Sequence, residues 1–210
     1  MIQITVLDTE TTGLDPTMHE IIEVACIQYK KISSNGFDLL SKNDFKIKPT
    51  NILLADNKAL QLNGYNEEVW KDGVDAGSAL GDITEIVNKT DLLIGQNLLF
   101  DMRFVVSCCE KNDLPVPDFP TYIDIKYTAD GLKKKGETTS SSLDGLCKYF
   151  GIENNQQNRH SALYDCELVW EVYKKILNGD LPIGYFTYDS PYDPYEKNNT
   201  LGEFIKNGRE

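Results

Sequence analysis

The sequence contains no apolar run approaching the ~18 residues that a membrane-spanning helix needs, so no such span is expected. Positive charge is also scarce: 21 Lys and Arg stand against 33 Asp and Glu, a net charge of −12. That balance argues against broad nonspecific binding of duplex DNA, which requires clustered cations to neutralise phosphates. It does not exclude chemistry on nucleic acids, because divalent cations held by carboxylates bring their own charge to a phosphate. Cysteine is sparse and unpatterned. Cys26, Cys108, Cys109, Cys147 and Cys166 are odd in number and form no C-x-x-C pair, which points to reduced, mostly buried thiols. The opening MIQITVLD has no basic region, no long apolar stretch and no small-residue cleavage site. It reads as a strand, and a cytoplasmic location is the expectation.

With 210 residues, 40% of them hydrophobic and 26% charged, the chain suits one globular domain with a modest tail. Residues 2–7 alternate Ile2, Ile4 and Val6 on one face, and 21–30 and 37–48 continue with strand-like character. Apolar spacing turns helical at 56–62 and 76–87, a short apolar strand covers 91–95, and a helix is expected over 100–109. A strand near 122–125 then precedes helices at 143–150 and 162–177. A strand meander followed by alternating strands and helices indicates an α/β domain with a mixed central sheet. Residues 133–142 (KKKGETTSSS) and 153–159 (ENNQQNR) read as polar loops. The run Lys133–Lys135 is either solvated charge, the commoner case, or a phosphate contact.

Asp8 and Glu10 close the first strand, and residues two apart on a strand project from one face. Like charges held this close repel unless a cation lies between them, so the pair is either a metal site or an acidic strand end entering a polar turn. The start of an EF-hand loop is imitated here, but Pro16 interrupts it and His19 stands where its last Glu belongs. His19-Glu20-x-x-Glu23 lacks the second histidine of a zinc-protease motif. Asp101 follows a candidate N-cap, Asn97, and serves either the helix macrodipole or a ligand. Phe100, Phe104 and Cys108 have core-like helical spacing. His160 falls at a loop–helix junction and Asp165 about a turn later, suiting proton transfer and metal ligation respectively.

Together, DTETTGLDP, GQNLLFDMRF and RHSALYDC resemble, in content and order, the three motifs of the DEDDh exonuclease family, and in particular its epsilon-type proofreading members. IIEVA on the second strand and SSLDGLCKYFGI, similar to the family's S-L-D-x-L-C-x-x-x-x-I helix, extend the match to about residues 1–178. Residues 179–210, with YDSPYDPYEKNN, are left as a tail or docking strip. The resemblance implies the ribonuclease H-like (exonuclease) fold, with a mixed central sheet of about five strands flanked by helices. It also implies that Asp8, Glu10 and Asp165 hold one metal, that Asp8 touches a second supported by Asp101, and that His160 is the base. Thr11, Thr12 and Leu14 fall where the family lines the terminal-nucleotide site, with Asn63, Asn97 and Phe104 at positions near it. Gln96 replaces a common His-Asn, and Asn63-Gly64-Tyr65 replaces a common His-Gly-Ile, which bears on substrate preference.

The implied reaction is metal-dependent 3′→5′ removal of nucleoside 5′-monophosphates, with two divalent cations, Mg2+ or Mn2+, in an all-oxygen site. The expected substrate is a single-stranded nucleic-acid 3′ end, DNA favoured over RNA. Alternatives are an RNA 3′-end exonuclease of the same family and a non-catalytic binding module. A DNA polymerase subunit is the candidate protein partner, with proofreading or DNA repair as the setting.

Overall fold

A computed structural model describes residues 2–33, 36–179, 181 and 183–186. Three strands open the chain: β1 (Gln3–Thr11), β2 (Ile21–Lys31) and β3 (Phe37–Lys46). They form an antiparallel meander, and β1 pairs on its other side with parallel β4 (Leu92–Gly95), followed by parallel β5 (Tyr122–Asp124). A two-residue strand, β6 (Tyr185–Phe186), runs antiparallel to β5, so the sheet order is β3-β2-β1-β4-β5-β6. The expected mixed sheet is therefore present, with six strands among the described residues where about five were anticipated. The sixth comes from the stretch read as tail, whose residues 187–210 lie outside those described.

Strand alternation divides the apolar residues between two cores. Ile4 and Val6 point into a cluster with α5 (Ile125–Lys134), α6 (Leu143–Phe150) and α7 (Ala162–Asn178). Leu7 points the opposite way, against α3 (Ala76–Asn88) and α4 (Leu98–Lys111). Two shorter helices, α1 (Asn57–Leu62) and α2 (Glu67–Trp70), cover the edge near the β1–β2 turn. There Asp56 N–H donates to Thr12 O at 2.7 Å and Trp70 Nε1 donates to Ile22 O at 2.7 Å.

Local chemistry sets the helix starts. Asp75 and Ser142 cap α3 and α6 by accepting from Ser78 and Gly145 N–H, which satisfies donors the helix leaves orphaned. Asn97 does stand at the N-cap of α4, but not as a side-chain cap. Its backbone is left-handed (φ 61), away from the extended geometry that aims a capping side chain at the helix, and its N–H donates to Asp124 Oδ1 at 2.8 Å. The turn is tight because Gly95 lies under Leu98: a Cβ there would sit 2.7 Å from Leu98 Cδ1. Helix α5 was not anticipated. Its last turn absorbs Lys133 and Lys134, expected in a loop, where their charge complements the helix C-terminus.

Candidate active site

The carboxyl ends of β1 and β4, where the chain direction of β1's neighbours changes, open a cleft of about 290 Å³. The parity of β1 holds through Glu10, after which the register shifts. Asp8 and Glu10 thus share the face that α7 covers, and the first turn of α7 brings Asp165 to them. His160, in the turn just before, takes a left-handed backbone (φ 64) and reaches the same place. One ligand atom from each of Glu10, His160 and Asp165 lies within 4.8 Å of the others, and Asp8 lines the same cleft.

Asp101 arrives from the opposite side of the sheet. Thr9, pointing away from Asp8 and Glu10, donates to Asp101 Oδ1 through its N–H at 2.9 Å and its hydroxyl at 2.6 Å. A helix-start acid with 4% exposure and two donors from β1 is fixed by more than the macrodipole.

Crowding shows in the proton affinities. Burial pushes Asp8 well above the ordinary carboxylate range, and the Asp101 and Glu10 charges push it further. Glu10 is pushed up to about 8 by burial, then by Glu23 and Asp101. Asp101 is raised to about 7 by burial, against the lowering effect of the Thr9 hydrogen bonds. His160 moves below its usual 6.5, by desolvation first and the Arg159 charge second. It is therefore neutral near pH 7 and able to accept a proton.

Arg159 was missed by sequence reasoning, which treated residues 153–159 as a polar loop. Its Nε donates to Asp144 Oδ1 at 2.8 Å, and its Nη1 forms an ion pair with Asp165 Oδ1. Asp165 Oδ1, buried, thus has the Arg159 guanidinium as its counter-charge and no further hydrogen-bond donor. Acids this buried and crowded favour protonation, and a divalent cation among them would favour their ionised forms instead. The donor set fits an oxygen-ligated metal with one imidazole beside it.

The residues expected around a terminal nucleotide are placed unevenly. Thr11 Oγ1 donates to Gly13 O at 2.7 Å, and Thr12 Oγ1 accepts from Glu20 N–H at 2.9 Å, so both hydroxyls shape the loop after β1. Leu14 projects from that loop, 81% exposed. Asn63 Nδ2 donates to Thr11 O at 2.9 Å and lines an adjoining cleft of about 560 Å³ shared with His160, Lys46 and Tyr164. Asn97 is exposed and on neither cleft's wall. Phe104 requires correction: it is 1% exposed, enclosed in the α3–α4 core as its spacing suggested. Phe100 is the ring on the cleft wall, its centroid 4.8 Å from that of Phe104.

An acidic cleft beside a neutral histidine, at the end of a mixed sheet, is an arrangement able to hold divalent cations for hydrolysis. The chain belongs to the Exonuclease (RNase_T) family, whose match covers residues 5–173. DNA polymerase III subunit epsilon of Rickettsia conorii is 29% identical over 180 residues, covering 83% of this chain and 73% of that one. Ribonuclease T of Shewanella denitrificans is 26% identical over 196 residues, covering 89% and 85%. Among solved structures, Escherichia coli exonuclease I in complex with a dT13 oligonucleotide superimposes with a TM-score of 0.69 at 19% identity. That alignment covers 84% of this chain but only 41% of exonuclease I, so the likeness is one of fold. Among the described residues, no helix is long and apolar enough to cross a membrane.

Proposed function

We propose that this exonuclease works from the 3′ end of single-stranded DNA and releases nucleoside 5′-monophosphates. The observation that carries the reading is the convergence of Glu10, His160 and Asp165 within 4.8 Å, beside Asp8. Asp8, Glu10 and Asp165 are the metal-holding side chains, with Asp101 supporting them from α4. Two divalent cations, magnesium or manganese, supply charge neutralisation and Lewis-acid stabilisation of the phosphate when bound. His160, neutral and adjacent, accepts the proton of the attacking water at a ring nitrogen. Attack at the terminal phosphodiester leaves the 3′ oxygen on the shortened chain and the phosphate on the released nucleoside. Leu14, exposed on the rim, and Phe100, on the wall, offer apolar faces to the terminal base. Asn63 faces the adjoining cleft, Thr11 and Thr12 act through the loop they shape after β1, and Asn97, off both cleft walls, acts through the turn that starts α4.

The relative named DNA polymerase III subunit epsilon supports DNA as the substrate and a polymerase as the partner. Proofreading or DNA repair, in the cytoplasm, is the proposed setting. A second reading, an exonuclease for RNA 3′ ends, is favoured by the ribonuclease T relative, matched over 85% of its length. Digestion of 5′-labelled single-stranded DNA, RNA and mismatched duplex with Mg2+ or Mn2+ separates the two. Asp8→Ala and Asp165→Ala should each abolish product formation while far-UV dichroism stays native. A folded variant cleaving at the wild-type rate overturns the metal assignment.

A further inference from the structure

Glu23 belongs to none of the groups assigned above, yet it is a nearly inaccessible carboxylate, 1% exposed, opposite Glu10 on β2. Burying a charge is costly unless every lone pair finds a partner. Its partners come from two directions. Oε2 accepts from Lys46 Nζ at 2.7 Å, and Lys46 lies over the Trp70 ring, 4.5 Å from its centroid. Oε1 accepts from Ala162 N–H at 3.0 Å and from Ser161 Oγ at 3.1 Å.

The second pair of bonds is a helix cap supplied from another strand. Ser161 stands at the N-cap of α7 but makes no side-chain cap bond of its own, because its hydroxyl is turned to Glu23. Glu23 instead accepts from the first helical N–H, and its negative charge suits the positive end of the helix. The adjoining residue is His160, held at φ 64, a left-handed conformation that a non-glycine residue keeps only when its surroundings impose it. Pinning residues 161 and 162 to β2 fixes the chain on one side of that strained residue.

We propose that Glu23 is a positioning residue for the exonuclease reaction. From β2 it anchors the start of α7 and so holds His160 against Glu10 and Asp165. The inference rests on the reading of His160 as the proton acceptor. It assigns Glu23 no contact with substrate or metal.

A double-mutant cycle tests it. Glu23→Leu removes the anchor and should lower kcat about 10–100-fold with KM nearly unchanged, the scale of a misplaced reacting group. Glu23→Gln keeps an acceptor for Ala162 N–H and should retain kcat within about fivefold, the scale of one ordinary hydrogen bond. In a His160→Ala background, Glu23→Leu should cost much less, because the residue it chiefly positions is gone and only the looser first turn carrying Asp165 remains to be felt. Wild-type kcat in Glu23→Leu, or an equal loss in both backgrounds, overturns the proposal. If Glu23→Leu does not fold, Ser161→Ala enters the same cycle, with a loss of about fivefold expected in the wild-type background and much less in the other. A His160→Ala enzyme with a near wild-type rate sinks the base assignment instead, a result distinguishable from a His160→Ala slowed by about 10²–10⁴ beside an unaffected Glu23→Leu.

Discussion

Thr9 and Arg159 both lower the proton affinity of the acidic cluster, one by hydrogen bonds and the other by charge. Thr9→Val keeps the backbone donor to Asp101 Oδ1 but deletes the hydroxyl donor at 2.6 Å. A loss of about 1–2 kcal/mol in unfolding free energy is expected by urea titration, together with slower cleavage. An unchanged midpoint would show that the hydroxyl contributes nothing to holding Asp101. Arg159→Met removes the countercharge at Asp165 and should lower the melting temperature of chelator-treated protein, with Mn2+ restoring most of the difference. If both variants melt alike without metal, Arg159 does not balance the cluster. Asp8 and Glu10 were legible because strand parity is a property of local sequence. Arg159 and Glu23 were not, since each gains its meaning from partners on other elements: Asp144 and Asp165 for the first, Ser161 and Ala162 for the second.

Elements were readable where apolar period and chemistry agreed. The meander β1–β3, the start of α6 at Ser142 and the long stripe of α7 follow that rule. Helix α5 did not, because Ile125, Tyr127 and Thr128 carry strand propensity and Gly131 interrupts, while its inward stripe of Ile125, Ala129 and Leu132 is short. Strand β6 has only two residues, too few for any periodic signal. The β4–α4 turn shows an element junction controlled by a single missing side chain. Gly95→Ala places a methyl group against Leu98 and 3.1 Å from Leu7 O, so the turn must open. A destabilisation of about 1–3 kcal/mol is expected by denaturant titration, the usual range for overpacking. A wild-type midpoint would mean that β4 and α4 yield freely, and the site between them would then not depend on a rigid turn.

At the scale of the whole molecule, the acidic surplus is concentrated in its consequences at one cleft. Glu10 and Asp101 hold their protons to about 8 and about 7 in the folded protein, above the ordinary 4.5 and 3.8. Between roughly pH 4 and pH 8 the unfolded chain has released protons that the folded cluster still binds. More bound protons in the folded state means that this cluster's contribution to stability falls as pH rises through that window, and levels off above it. A cation bound at the folded site would reverse the sign of the problem, because it favours the ionised carboxylates. Unfolding free energy in chelator should therefore decline from pH 5 to pH 8, and the decline should be shallower in Glu10→Gln. At pH 8, Mg2+ or Mn2+ at about 100 times its dissociation constant should return about 2.7 kcal/mol. Equal slopes in wild-type and Glu10→Gln proteins, or no metal response at pH 8, would place the strain and the cations elsewhere. The acidic surplus would then have no role in making the cleft require a metal.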